Sequence, residues 1–201
     1  MKYKIQEINY YTKDYLDNFF YKIYVQKRNR ILKYKKIERL KSSIIGEILL
    51  NDLLKENYNC DYENLIFTLN DNNKPYIKDK KIFYSISHSY NYIITAISDL
   101  EIGVDIEKIR KTSIKTINYF ATSKEEKYIL SDTQNIEKRL FEIYTLKEAY
   151  FKMKGTDLSR MKSIEFTITN YNNIYCNDER VSLKLIDSLK GYMVAICEKK
   201  I

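Results

Sequence analysis

Hydrophobic residues follow two different periods along this 201-residue chain, and the changes from one period to the other divide it into elements. Between residues 37 and 56 apolar side chains recur every three or four positions, which predicts a helix. Similar spacing predicts helices over 123–131 and 140–153. Short runs rich in Ile, Tyr, Phe and Val predict strands, because these residues favour an extended chain. The predicted strands cover residues 65–69, 82–87, 92–97, 102–106, 164–169, 181–186 and 192–197.

The order of a helix followed by strands occurs twice, which predicts an α+β fold made of two halves. We expect an N-terminal half over 1–104 and a C-terminal half over 105–201. The three strands between residues 82 and 106 are expected to form one sheet. A loose similarity between 92–99 and 192–198 gives weak support to an internal duplication. Since no Gly/Ser/Pro-rich linker separates the halves, we expect them to pack directly on each other.

The composition is typical of a globular chain. Hydrophobic residues make up 44% of it, which is enough for a sizeable core. Unbroken apolar runs are far shorter than the roughly 20 residues that a membrane helix needs. Charged residues lie near the N-terminus where a signal peptide would be apolar. We therefore expect a cytoplasmic protein that does not contact a membrane.

The net charge and the types of possible metal ligands limit the partners and metal sites that the chain can have. The net charge of +8 favours polyanionic partners, but nucleic acid, a phosphorylated small molecule and an acidic protein all fit it. The three cysteines form no C-x-x-C pair, which argues against a disulfide or zinc framework. His88 is the only histidine, so a histidine-rich metal site is excluded. Any metal is therefore expected on carboxylates.

Two acidic residues lie in the strand-like run Gly103-Val104-Asp105-Ile106-Glu107. Alternate side chains of a strand point the same way, so Asp105 and Glu107 are expected on one face. Two neighbouring anions repel each other unless a cation or water separates them, and oxygen ligands suit magnesium held against phosphates. A solvated sheet edge is the alternative, and the pair alone favours it.

The helix predicted over 140–153 carries Lys147, Glu148 and Lys152 among apolar and aromatic neighbours. Glu148 and Lys152 are spaced i,i+4, which also fits an ordinary exposed ion pair worth about 0.2 to 0.5 kcal/mol. In the functional interpretation Glu148 completes a three-carboxylate site, and the two lysines meet phosphate oxygens. The spacing alone does not separate these alternatives.

Two further segments carry polar residues with both a chemical and a structural interpretation. The run Ser85-Ile86-Ser87-His88-Ser89 could hydrogen-bond a phosphate, although a lone histidine is more often a turn or surface residue. Glu125 lies three residues after Thr122, which fits a capping box at a helix N-terminus. A catalytic base could also lie there, and Glu126 is a competing candidate.

Together, these segments resemble the surfactin-type 4'-phosphopantetheinyl transferases. The family's strand motif G-[VI]-D-x-E corresponds to residues 103–107. Its helix motif, an aromatic residue followed by S/T-x-K-E-[AS]-x-x-K, corresponds to residues 144–152. The segments 85–89 and 73–76 resemble the family's N-I-S-H-S and G-K-P segments. The resemblance spans about residues 22–197, and the chain departs from it at Ser85, at Tyr144 in place of the usual Trp, at Asn73, and in the loop 154–158.

The resemblance implies a transfer of the phosphopantetheine arm of coenzyme A to a serine of a carrier protein. It implies that Asp105, Glu107 and Glu148 hold magnesium against the pyrophosphate and that Lys152 binds a phosphate. Glu125 would be the candidate general base. The expected fold is a pair of α+β halves related by a pseudo-twofold axis, with the active site in the cleft between them.

The same resemblance implies a coenzyme A site made largely by the N-terminal half. The residues implied to bind coenzyme A are Lys27, Arg30, Ser43, Lys74, Ser87, His88, Lys147 and Lys152. His88, Lys27 and Arg30 would meet the 3'-phosphate, and the metal would lie in the C-terminal half. The implied partner is an acidic apo carrier protein, which a basic surface would attract, and a monomer is expected.

One alternative from another class is a basic nucleic-acid-binding module. Lysines and arginines alternate with tyrosines between residues 21 and 36, where aromatic rings could stack on bases. That hypothesis leaves the three acids unused, because without a metal they would repel a phosphate backbone. An inactive relative that keeps only the fold is a third hypothesis, and the intact acids argue against it.

Overall fold

The computed structural model describes residues 1–70, 74–170 and 173–200. It contains two compact units, Met1–Leu100 and Glu101–Ile201. The boundary comes four residues before the predicted one, so Gly103 and Val104 belong to the second unit. Each unit combines helices with antiparallel strands, which confirms the α+β class. The predicted pseudo-twofold relation and cleft stay predictions.

The first unit packs one long helix on a five-stranded antiparallel sheet. The sheet order is β1-β5-β4-β3-β2. Its strands are β1 (Lys2–Glu7), β2 (Phe67–Leu69), β3 (Pro75–Ile77), β4 (Ile82–Ser89) and β5 (Tyr92–Ser98). Its helices are α1 (Lys13–Phe20), α2 (Val25–Ile31) and α3 (Ile37–Tyr58). The predicted helix over 37–56 is thereby confirmed.

Two apolar clusters hold α3 on its sheet. Towards its N-terminal part, Ile44, Ile45 and Ile48 pack with residues of α1 and α2 and with β5. Further along, Leu50 and Leu54 pack against β3, β4 and β5. The helix ends at Asn59, which adopts the left-handed conformation that terminates many helices. The buried face of α3 therefore follows the apolar spacing seen in the sequence.

The second unit has a three-stranded sheet and a separate two-stranded one. The strands are β6 (Ile102–Lys108), β7 (Phe166–Asn170), β8 (Asn173–Cys176), β9 (Val181–Ile186) and β10 (Tyr192–Lys199). Their orders are β6-β10-β9 and β7-β8. The helices are α4 (Ile117–Phe120), α5 (Ser123–Leu130) and α6 (Ile136–Lys154). The predicted strands and helices of this half are all present; β9 has the predicted bounds, and the others differ at one or both ends.

One predicted pairing is wrong. β4 and β5 pair with each other, but β6 does not join them, because it pairs with β10 from Lys108–Tyr192 to Ile102–Glu198. The similar segments 92–99 and 192–198 contain β5 and β10, and each is a central strand of its own sheet.

The helix α6 packs directly on β6 and β10. Its buried residues Leu146, Ala149 and Met153 belong to one core together with Met193 and Ala195 of β10. The contact is close at Gly103, where a Cβ atom would lie 2.0 Å from the carbonyl oxygen of Ala149. A glycine is therefore needed there for β6 and α6 to approach as they do. Among the described residues, none of the helices is both long enough and apolar enough to cross a bilayer.

Candidate active site

The acids of β6 occupy the strand beside α6. Asp105 is only 3% exposed, whereas Glu107, nearer the strand end, is partly exposed. Asp105 lies opposite Ala195 in the register with β10, and Glu107 lies opposite Met193. Glu107 Oε2 accepts a hydrogen bond from Arg110 Nη1 at 3.3 Å. As predicted for alternate strand positions, the two carboxylates share a face of β6.

Glu148 faces these acids from α6. Burial raises the pKa of Glu148, and the negative charge of Asp105 raises it further, whereas Lys152 and a hydrogen bond from Tyr144 lower it. The Tyr144 hydroxyl donates to Glu148 Oε1 at 2.8 Å. Burial and the charges of Glu148, Glu107 and Asp105 raise the pKa of Tyr144, so the hydroxyl keeps its proton at neutral pH. Tyr144 thus lies within the electrostatic field of all three acids.

Lys152 supplies the opposing charge. Its ammonium Nζ lies 2.6 Å from Asp105 Oδ1 in an ion pair that is buried on the Asp105 side and partly exposed on the lysine side. Lys152 therefore forms its ion pair with Asp105, whereas the alternative of an exposed i,i+4 pair placed it on Glu148. Its position beside Asp105 places a positive charge next to the acids.

The donor chemistry of this cluster fits a magnesium ion. Among the described residues, no group of three or more His, Cys, Asp or Glu side chains is arranged as a ready metal cage. Mg²⁺ does not require one, because it is usually held by one or two carboxylates together with substrate phosphates and water. A cation here would also relieve the repulsion between Asp105 and Glu148.

Glu125 and Lys147 form a fully buried pair away from solvent. The capping box is present, since Glu125 Oε2 accepts from the Thr122 amide at 2.7 Å. Glu125 Oε1 accepts from the Phe166 amide at 2.8 Å, and Lys147 Nζ lies 2.9 Å from Glu125 Oε2. Lys147 Nζ also donates to the carbonyl oxygens of Met161 and Ile164.

These contacts favour a structural role for both residues. Each side chain is 0% exposed, so a phosphate contact by Lys147 would require its present bonds to break. Burial lowers the pKa of Lys147, and the Glu125 charge opposes that effect. The predicted roles of Glu125 as general base and of Lys147 as a phosphate ligand stay predictions.

Replacing Glu125 by glutamine tests the base hypothesis. We expect Glu125→Gln to lower the free energy of unfolding by about 3 kcal/mol, because the buried Lys147 loses its counter-charge and the new NH2 group faces a backbone N–H donor. The rate of the transfer that the resemblance implies should stay within about threefold of normal in the folded variant, whereas loss of a general base would lower it about 10²- to 10⁴-fold. Denaturant unfolding and initial rates measure the two effects. A rate loss of that larger size in a fully folded variant would make Glu125 the base.

The first unit places Lys27 and Arg30 beside a cavity. They lie on α2, and the cavity of about 520 Å³ is lined by both together with Tyr24, Gln26, Phe67, Thr68, Leu69 and Pro75. The rings of Tyr24 and Phe67 stack with centroids 4.4 Å apart. Two cations and an aromatic wall suit a phosphorylated nucleotide.

Sequence reasoning missed Glu47, which holds Lys27 in place. Glu47 is a fully buried residue of α3, and its Oε1 lies 3.0 Å from Lys27 Nζ. Tyr62 donates to Glu47 Oε2 at 2.6 Å. Burial disfavours a charged Lys27, but the ion pair outweighs it and raises the pKa of Lys27. The signal in the sequence was a single acid inside the apolar run 44–50.

The remaining predicted coenzyme A residues of the first unit lie on α3, on β4 and just before β3. Ser43 is half-buried on α3. Ser87 is buried and His88 exposed on β4, as alternation along a strand requires. Lys74 is buried, and its amide donates to Asn70 Oδ1 at 2.9 Å. Asn73, part of the G-K-P-like segment, lies outside the described residues.

Comparisons with known proteins match both units. A family model described as 4'-phosphopantetheinyl transferase superfamily matches residues 101–197. A second, described as 4'-phosphopantetheinyl transferase, N-terminal, matches residues 12–100. The matches meet at the boundary between the two compact units.

Several bacterial 4'-phosphopantetheinyl transferases are similar in sequence. Gsp of Aneurinibacillus migulanus is 33% identical over 131 residues, which are 65% of this chain and 55% of that protein. Psf-1 of Bacillus pumilus is 25% identical, with 87% of this chain and 78% of that protein covered. Sfp of Bacillus subtilis (strain 168) is 24% identical, with 86% and 80% covered. The chain thus spans about half of gsp and about four fifths of the other two.

Structural similarity to Thermotoga maritima holo-[acyl-carrier-protein] synthase (AcpS) is weak. The TM-score is 0.40 at 19% identity, over 50% of this chain and 63% of that chain. The two family models, by contrast, together account for residues 12–197. The chain therefore belongs to the 4'-phosphopantetheinyl transferase superfamily. This confirms the family predicted from the strand and helix motifs.

Proposed function

We propose that this chain moves the 4'-phosphopantetheine arm of coenzyme A to a serine of an apo carrier protein. The transferase class follows from the family. The carrier serine oxygen would bond to the β-phosphorus, while the bond to the bridging oxygen breaks. Adenosine 3',5'-bisphosphate leaves with that electron pair, and the serine proton passes to a base or to water.

The observation that carries the proposal is the meeting of acids and a lysine between β6 and α6. Asp105 lies close enough to Glu148 for its negative charge to raise the pKa of Glu148. Lys152 Nζ lies 2.6 Å from Asp105 Oδ1. A nucleic-acid-binding module would have no use for buried acids. Its supporting basic segment is also partly used inside the fold, since Lys27 pairs with Glu47.

Asp105, Glu107 and Glu148 are proposed as the carboxylates of a Mg²⁺ site. Because they form no ready cage of three ligands, substrate phosphates and water would complete the coordination. When bound, this ion would offset the negative charge of the pyrophosphate, which aids phosphoryl transfer. Lys152 would turn from Asp105 to a phosphate oxygen once the carboxylate has a metal partner. This exchange keeps the lysine charge inside the site, where charge builds up on the oxygens of the transferred group.

The first unit is proposed to bind the nucleotide part of coenzyme A. Lys27 and Arg30 would meet the 3'-phosphate at the cavity beside Tyr24 and Phe67. His88 is proposed to contact the same phosphate. Ser43, Lys74 and Ser87 are proposed to line the rest of the pocket. The Glu47 pair would keep Lys27 charged and in place.

An acidic carrier, a cytoplasmic location and a monomeric state complete the proposal. The net charge of +8 supports attraction of an acidic carrier. Such attraction should weaken with salt, because exposed charges are screened over about 10 Å at 0.1 M.

Intact-mass measurement tests the transfer. The protein is incubated with coenzyme A, magnesium chloride and several apo carrier proteins of the acyl, peptidyl and polyketide types. We expect at least one carrier to gain one phosphopantetheine unit, with adenosine 3',5'-bisphosphate formed in equal amount. Its serine-to-alanine variant is the control and should gain nothing. If the folded protein modifies none of the carriers, the proposed activity is refuted.

A further inference from the structure

Tyr144 carries a hydroxyl group at a position where a different aromatic residue is expected. The family that the chain resembles usually has a tryptophan there, and a tryptophan side chain has no hydroxyl. In this chain the Tyr144 hydroxyl donates to Glu148 Oε1 at 2.8 Å. The two residues are one turn apart on α6, so the helix itself sets their spacing.

The ring of Tyr144 is held in place from its other side. It packs edge-to-face on Phe120, with centroids 5.3 Å apart and planes at 77°. Phe120 is 2% exposed and belongs to the core of the second unit. This contact limits the movement of the Tyr144 ring, and the hydroxyl bond limits the rotation of the Glu148 carboxylate.

This bond matters for a cation because a free glutamate samples several rotamers. A carboxylate that accepts one hydrogen bond at Oε1 is oriented, and its remaining lone pairs can still bind a metal. Groups that orient metal ligands in this way typically change metal affinity or activity by about 10- to 100-fold when removed.

We propose that Tyr144 is a positioning residue that orients Glu148 for the divalent cation. This inference rests on the proposed function, because that proposal makes Glu148 a magnesium ligand. The hydroxyl bond to Glu148 is the part of this role that the usual tryptophan could not supply. The effect is expected on metal binding, since Tyr144 would act through Glu148.

Tyr144→Phe isolates the hydroxyl, because the ring and its contact with Phe120 are kept. Binding of Mn²⁺ as a probe is measured by electron paramagnetic resonance of the free ion, in the presence of coenzyme A and without a carrier. We expect the dissociation constant to rise about tenfold. In turnover assays the KM for Mg²⁺ should rise by a similar factor, and kcat at saturating Mg²⁺ should stay within about twofold.

Tyr128→Phe is the matched control. Its hydroxyl donates to Glu142 Oε2 at 2.6 Å, so this variant also removes a tyrosine-glutamate bond in the second unit. Neither residue belongs to the proposed site, and Mn²⁺ binding should be unchanged.

The outcomes separate this inference from the proposed function. If the unaltered protein binds Mn²⁺ and modifies a carrier, but Tyr144→Phe binds Mn²⁺ as tightly, the inference is overturned and the function stands. Equal weakening by Tyr128→Phe would also overturn it, because the effect would then be general. If the unaltered protein binds no Mn²⁺ with coenzyme A present, Glu148 has no cation to meet and the inference fails.

Discussion

Glu148→Gln is expected to lower the transfer rate by about 10³-fold, the size of effect seen when a group that stabilises charge in the transition state is removed. Glutamine keeps the shape of the side chain and can still accept the hydrogen bond of Tyr144. It lacks the negative charge that a cation requires. Because the raised pKa of Glu148 reflects burial and repulsion by Asp105, removing its charge should not destabilise the fold.

The measurement is an initial rate at saturating coenzyme A, magnesium and carrier, beside a denaturant unfolding curve. The free energy of unfolding should change by less than about 1 kcal/mol, within the range of ordinary substitutions. Glu142→Gln is the matched control, since Glu142 is a buried acid of the same helix that also accepts a tyrosine hydroxyl bond. It should keep its activity. A folded Glu148→Gln enzyme with a normal rate would mean that Glu148 is not a metal ligand.

Local sequence patterns identified most of the elements but not their partners. The helices α3 and α6 have apolar residues spaced for burial of one face, so periodicity alone was sufficient to find them. The strand β6 was found as well, yet its pairing with β10, about 90 residues later, has no local signal. Strand pairing depends on contacts distant in sequence, which a short window does not contain.

The elements that were missed have weak patterns. β1 has the sequence Lys-Tyr-Lys-Ile-Gln-Glu, and it becomes a strand because the edge of β5 supplies its hydrogen-bond partners. α1 and α2 have only eight and seven residues. Such short helices are marginal alone and depend on tertiary packing, here of Leu16, Phe19 and Ile31.

The sequence predicted which residues of the candidate site lie together where a motif specifies the residue types. It did not predict the role of a charged residue where that role depends on burial. Asp105, Glu148 and Lys152 lie near one another, while their roles as metal and phosphate ligands stay predictions. Lys147 belongs to the helix motif and Glu125 to none of the motifs, but the structure encloses both in one buried pair. Whether a charged residue faces a ligand or a backbone carbonyl depends on the whole packing of α5, α6 and β7, so the sequence left both alternatives open.

Gly103→Ala is expected to destabilise the second unit strongly, because there is no space for the added methyl group between β6 and α6. A Cβ atom there would lie 2.0 Å from the Ala149 carbonyl oxygen and 2.3 Å from the Met153 amide nitrogen. Both are backbone atoms of α6, so no side chain can turn aside. The helix must move by roughly 1 Å or more to restore normal contact distances. Overpacking of this kind costs about 3 kcal/mol, the upper part of the usual range.

The same shift should reach the chemistry. Asp105 is two residues beyond Gly103, and Glu148 and Lys152 are on the part of α6 that would be displaced. A misplacement of about 1 Å can lower a rate by about 10²-fold, so we expect that loss even at a temperature where the variant is folded. Unfolding curves and initial rates are the measurements.

Gly191→Ala separates this steric effect from the general cost of replacing a glycine. Gly191 has φ of +78° with nothing within 4 Å of an added Cβ, so alanine there is strained by about 1 to 2 kcal/mol but displaces no helix. Its transfer rate should remain normal. If Gly103→Ala behaves like Gly191→Ala, with a small loss of stability and a normal rate, α6 can recede from β6 without cost, and the glycine of the strand motif does not set the distance between the acids.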